Sequence, residues 1–158
     1  MTATLHEPKR AAATPIDTID LRREEHIAAS PQVVYETILE QLGPRSEMGT
    51  GNPFPMVFEA FPGGRWFRDL GNGAGHLWGH VQVIKPPTLI EITGPLFMSY
   101  PAVNFVQYRL VADGEGTRLQ FRHQGMGLID PEHKKGVAEG WGEELSRIRE
   151  LAEKKASR

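Results

Sequence analysis

Three residues in this chain have side chains suited to proton transfer and stand where apolar residues would be expected: Tyr108, His123 and Glu144. Side chains alternate along an extended strand, so Val106, Tyr108 and Leu110 share one face, and Leu119, Phe121 and His123 share one face of the next strand. Tyr108 and His123 are thus polar tips on an apolar wall. They suit the orientation of a ligand in a pocket, or a core tyrosine and histidine satisfied by their neighbours. Glu144 falls on a helix, between Leu151 and Val137 by angle, inside the arc of apolar positions. Its carboxylate either edges out to water or faces inward and pairs with Arg23, Tyr108 or His123. Arg23 and Glu25 share the inward parity of the first strand, which suggests internal polar groups or an edge strand with a loose pattern. If Tyr108, His123 and Glu144 converge on one void, acid–base catalysis is open to them.

Other chemistries find no seat. His76, Trp78 and His80 invite a metal reading, but strand residues rise about 3.3 Å each, which separates the two imidazoles by roughly 13 Å unless the strand bulges at Gly79. No metal site is expected, and no cofactor. Gly71, Gly73 and Gly75 join strand to strand and open no helix, so a hairpin explains them better than a phosphate cradle. Ser30, Ser46, Ser99 and Ser146 lie in no nucleophile-elbow context. The chain has no cysteine, which removes thiolate chemistry and disulfides and fits a reducing compartment. With a net charge of −2 and Lys and Arg spread along the sequence, nucleic acid and anionic membranes are not expected partners. No window approaches the ~20 apolar residues of a membrane span. A cytoplasmic protein is the expectation.

These residues need elements to hold them. At 158 residues the chain is read as a disordered N-terminal tail, 1–17, followed by one domain over 18–158. Its longest periodic run, Pro131 to Lys154, predicts a helix capped by Asp130, with Val137, Ala138, Trp141, Leu145, Ile148, Leu151 and Ala152 in one stripe. Glu143–Arg147 and Glu150–Lys154 are expected as ion pairs on its wet side. Ile19 to Ile27 alternates as a strand, and Ser30-Pro31 opens a short helix that Gly43-Pro44 closes. The aperiodic stretch from Gly43 to Pro55 reads as a loop, either a plain surface excursion or a cover whose Met48 and Phe54, with Met56 beyond it, close a cavity mouth. Six strands follow: Met56–Phe61, Arg65–Leu70, His76–Ile84, Leu89–Thr93, Asn104–Ala112 and Thr117–Gln124. Short turns between them make an antiparallel meander with one apolar face, which the final helix must cover. A curved sheet around one helix of about 10–12 Å diameter is wider than its plug, so a cavity is the natural by-product.

Five segments carry a resemblance: IAASPQVVY (Ile27 to Tyr35), FPGGRW (Phe61 to Trp66), GHVQVIKPPTLI (Gly79 to Ile90), GTRLQFRHQG (Gly116 to Gly125), and Gly140-Trp141 followed by Leu145, Ile148 and Leu151. In this order they resemble the START/SRPBCC helix-grip superfamily, and within it the branch named after the C-terminal domain of the Hsp90 ATPase activator. The resemblance implies an α+β fold in which a curved antiparallel sheet of about seven strands wraps around a long C-terminal helix. It also implies an elongated cavity that in many relatives takes a hydrophobic small molecule. Two departures fall at the expected mouth: Phe61 stands where relatives often have arginine, and the Gly/Pro loop replaces a tryptophan-containing segment. A chaperone partner is implied only weakly, because the separate N-terminal domain of the eukaryotic activator has no counterpart here.

The expected function is binding of a small, largely apolar molecule between sheet and last helix, lined by Phe58, Trp66, Tyr108, Phe121, His123, Trp141, Glu144 and Leu145. Two alternatives stay open. One is an enzyme of cyclase, aromatase or hydrolase type in the same cavity; the other is a chaperone-associated module, which calls for a filled interior and a large exposed patch.

Overall fold

A computed structural model describes residues 14–49 and 51–158. The expected tail lies outside the described residues as far as residue 13. Eleven-residue strand β1 (Asp17–Ile27) starts two residues before the alternation suggests, because the Asp17 carboxylate accepts from Lys134 Nζ at 2.9 Å and fastens that end. Helix α1 (Pro31–Leu42) begins as expected, with the Ser30 hydroxyl accepting from Val33 N–H at 3.3 Å and Pro31 in the first turn.

The stretch from Gly43 to Pro55 departs from a plain loop. It folds into a ribbon of two short strands, β2 (Glu47–Met48) and β3 (Asn52–Pro53), turning through Gly49 and Gly51, both at positive φ. The next strand, β4 (Val57–Phe58), is shorter than the run Met56–Phe61. From Glu59 onward the chain turns, the Glu59 carboxylate taking both the Arg65 N–H at 2.9 Å and its guanidinium at 2.7 Å.

Five longer strands complete the meander: β5 (Arg65–Gly71), β6 (Ala74–Lys85), β7 (Leu89–Gly94), β8 (Ala102–Asp113) and β9 (Gly116–Gly127). The main sheet has seven strands, all antiparallel to their neighbours, in the order β1-β9-β8-β7-β6-β5-β4. The first strand therefore pairs with the last along its whole length. Helix α2 (Pro131–Ala156) lies across the inner face, its N-terminus capped by Asp130 Oδ1, which accepts from Glu132 N–H at 2.8 Å. This is the α+β helix-grip architecture.

The expected parity holds where the sheet meets α2. Val106, Tyr108, Leu110, Leu119, Phe121 and His123 are all buried, with Tyr108 paired to Phe121 and Val106 to His123 across the strands. On the helix side, Val137, Trp141, Leu145, Ile148 and Ala152 are buried against them in one continuous core. The wet face differs from expectation. Arg147 pairs with Glu47 of β2 at 2.8 Å rather than with Glu143, and Lys155 reaches Glu40 of α1 at 2.8 Å. A cross-element partner of opposite charge comes within reach of Arg147 and displaces its local i, i+4 pairing, and among the described residues Glu150 and Lys154 form no ion pair. Arg23 is exposed and Glu25 binds Arg149 at 2.8 Å, so the first strand sends no charge to Glu144.

Candidate functional site

Where α2 passes beneath the β2–β3 ribbon, the sheet is not filled. A cavity of about 260 Å³ opens there, floored by Trp66, Trp78, Phe97 and Trp141 and bounded on the helix side by Gly136, Gly140 and Glu144. The ribbon supplies the remaining wall through Glu47, Met48 and Gly49. Of the residues expected to line a cavity, Trp66, Trp141 and Glu144 do so; Phe58, Tyr108, Phe121, His123 and Leu145 stand behind the lining. Phe61 is exposed at the far turn and takes no part in the mouth.

The aromatic residues form one chain through the molecule. Phe58 leans on Trp66 at 6.4 Å between centroids, Trp66 on Trp78 at 5.0 Å, Trp78 on Phe97 at 5.6 Å and Phe97 on Trp141 at 6.1 Å. Phe121 then backs Trp141 at 4.7 Å and Tyr108 backs Phe121 at 5.1 Å. Most neighbours meet edge to face, a geometry that gains electrostatically beyond the area it buries and fixes each ring's tilt. Each indole donor is engaged within the protein: Trp66 Nε1–H by the Leu42 carbonyl at 2.8 Å, Trp141 by His123 Nδ1 at 2.9 Å and Trp78 by His76 Nδ1 at 3.3 Å.

Sequence reasoning missed Trp78 and Phe97 as liners. Trp78 reaches the cavity because β6 does bulge: Trp66 pairs with Gly79 and Phe67 with Leu77, leaving Trp78 without a partner and re-aiming it inward. Gly79 permits this, since a Cβ there would sit 2.6 Å from the Thr93 carbonyl oxygen. Among the described residues no group of three or more His, Cys, Asp or Glu is arranged to hold an ion. Phe97 sits in the aperiodic stretch between β7 and β8, where no pattern marks its direction.

The three candidate proton carriers do not converge. His123 is fully buried, its Nδ1 accepting from Trp141 and its Nε2–H donating to Asn104 Oδ1 at 2.8 Å. Asn104 Nδ2 in turn donates to the Gly94 and Pro95 carbonyls, both at 3.3 Å. Burial brings the His123 pKa down to about 4, so the ring is a neutral structural link between helix and sheet. Tyr108 and Glu144 form a separate pair, the hydroxyl donating to Glu144 Oε1 at 3.5 Å, the outer limit of a hydrogen bond. Glu144 keeps part of its surface open to the cavity, yet burial of its carboxyl pushes its pKa up to about 7 against the opposing pull of Arg147. Burial likewise drives the Tyr108 phenol well above its usual range. The cavity thus presents one carboxyl that changes protonation near neutrality.

The missed signal lies in the helix itself. Gly136 and Gly140, four residues apart, face the void, and a Cβ at either would meet nothing within 4 Å. Each glycine in a helix interior costs about 1 kcal/mol relative to alanine. Both glycines stand exposed at the rim of the void, where a side chain would find room. Gly140→Ala is accordingly expected to stabilise the protein by about 1 kcal/mol, read as a higher urea midpoint with an unchanged slope. An unchanged or lower midpoint would show that the position is constrained by something other than helix propensity.

Comparison with known proteins gives the family setting. The family model described as "Activator of Hsp90 ATPase homolog 1-like protein" matches residues 28–153. No curated protein gives a match. Among solved structures, protein CV1439 from Chromobacterium violaceum superposes with a TM-score of 0.66 at 21% identity, covering 85% of this chain and 96% of that one. CalU16 from Micromonospora echinospora gives 0.55 at 20% identity, over 84% of this chain and 71% of its own. The di-domain aromatase/cyclase StfQ of the steffimycin biosynthetic pathway gives 0.62 at 13% identity, over 89% of this chain and 52% of that protein. At these identities the structures share the fold.

Proposed function

Because the chain belongs to the activator of Hsp90 ATPase homolog 1-like family, on a fold shared with an aromatase/cyclase, we propose that it binds a small molecule with a largely apolar body in the cavity beneath the β2–β3 ribbon. The aromatic floor of that cavity carries the reading. A void of about 260 Å³ walled by three indoles and a phenyl ring gains most by excluding water in favour of a flat apolar guest. Its occupant meets one internal carboxyl, which sets orientation. The cytoplasm is the proposed site of action, supported by the cysteine-free sequence. Among the described residues no helix is long and apolar enough to cross a membrane.

Catalysis is the second reading, favoured by one observation. Glu144, with a pKa of about 7 and the Tyr108 hydroxyl at 3.5 Å, is poised to take or give a proton in the same cavity. His123 belongs to neither reading. A chaperone-contact module is supported less well, since it makes no use of the void.

Thermal melting against a broad panel of small aromatic and alicyclic compounds tests the binding reading. A ligand at about 100 times its Kd adds ~2.7 kcal/mol and raises the midpoint clearly. Gly140→Phe, which adds a ring at a position bordering the void, is expected to fold and lose that response. No shift across the panel, or an equal shift in the filled variant, would sink the proposal.

A further inference from the structure

Resting on the binding reading above, we propose that the cavity selects an organic cation: a quaternary or protonated amine carried on an apolar body. Four rings line the space, Trp66 nearly perpendicular to Trp78 (76°) and Trp78 to Phe97 (76°), so that they wall it from different directions. Their indole donors are all engaged within the protein, so the rings offer a guest no free N–H. Aromatic faces attract a cation through the ring quadrupole, and more strongly when it is desolvated.

Charge in the lining points the same way. Among the described residues that border the cavity, Glu47, Glu143 and Glu144 are acidic, Arg147 is the one Lys or Arg, and His133, hydrogen-bonded to the Tyr100 hydroxyl at 2.7 Å, is the one histidine. Arg147 is held by Glu47 at 2.8 Å and donates to the Gly49 carbonyl, so its charge is committed to the ribbon. Glu144 is faced by the Tyr108 hydroxyl from β8 and by Arg147 on its own helix, with Glu143 alongside. An anionic guest would be repelled by this carboxyl. A neutral guest would leave it only Arg147, already shared with Glu47, as counter-charge. A cation favours the ionised carboxyl and draws a proton off it on binding.

A matched pair of probes tests this. Benzyltrimethylammonium carries a charge that does not titrate, and neopentylbenzene has the same shape without it. All three tryptophans of the chain border the cavity, so intrinsic fluorescence reports occupancy directly. At pH 8 the cation is expected to bind at least tenfold more tightly than its isostere, weakening about tenfold by pH 6 as Glu144 takes up its proton. Glu144→Gln should remove the pH dependence and reduce the preference to what the rings supply, while still binding the hydrocarbon. Equal or tighter binding of the hydrocarbon overturns the inference and leaves the binding reading standing. A pH dependence that survives Glu144→Gln overturns it too, since it would then belong to another lining group such as His133. If neither probe perturbs the fluorescence and the melting panel is also silent, both readings fall.

Discussion

Alanine at position 123 is expected to lower the unfolding free energy by about 4 kcal/mol, although the residue lies outside the cavity lining. Removing the imidazole empties a fully buried site and strands two polar groups, Trp141 Nε1–H and Asn104 Oδ1, which it holds at 2.9 and 2.8 Å. Each stranded group costs about 1–3 kcal/mol and the void adds to that. His123→Leu restores much of the volume without the hydrogen bonds, so the difference between the two variants isolates the packing contribution. Urea unfolding at pH 7.5 reads both. The ring also governs the acid limb. Its folded pKa of about 4 lies below the ordinary 6.5, so the unfolded chain takes up the proton first as pH falls. This contribution is complete above pH 6.5 and is lost between 6.5 and 4, by about 3 kcal/mol. A loss under about 1 kcal/mol in His123→Ala would mean that the Trp141–His123–Asn104 link does not fasten helix to sheet.

Glu144→Gln should do the opposite and stabilise the protein, by up to about 3 kcal/mol at pH 8. The folded carboxyl has its pKa raised from 4.5 to about 7, so the native state holds a proton that the unfolded chain releases. Its contribution is complete below pH 4.5 and disappears as pH rises through 7. Glutamine cannot ionise and escapes that loss. The advantage of the variant should therefore grow from near zero at pH 4.5 to its full value at pH 8, followed by thermal or urea unfolding across that range. Between 4.5 and 6.5 the wild-type Glu144 and His123 slopes oppose one another and the stability curve should be shallow. A variant no more stable than the parent at pH 8 would show that the carboxyl is hydrated in the empty protein. A residue that destabilises the folded state in this way, in a cavity wall, is the kind of trade that binding sites make.

Strict periodicity made most of the architecture legible. The stripe from Val137 to Ala152 and the parity of Val106, Tyr108, Leu110, Leu119, Phe121 and His123 depend only on regular repeats, and the structure keeps them. The cavity's position was not legible, because three irregularities define it. A bulge turns Trp78 inward, Phe97 sits in a segment with no repeat, and the β2–β3 ribbon is held by Arg147, whose local partner Glu143 looked sufficient. None of these leaves a period-2 or period-3.6 trace. Glu144 was visible as a carboxylate out of place among apolar positions, and Tyr108 as one candidate partner. The competing partner, His123, is withdrawn by a hydrogen bond to Trp141 across elements, which no linear pattern encodes.

The pairing of β1 with β9 has a consequence for how the chain comes off the ribosome. Strand β1 finds its sole sheet neighbour only after β4 to β9 have all been made, so this sheet cannot be completed from its N-terminal side during synthesis. Until then Ile19 and Ile27 remain unsheltered beside an open strand edge, a state prone to self-association. Closure of the sheet waits for β9 to dock, and α2 follows it onto the same face.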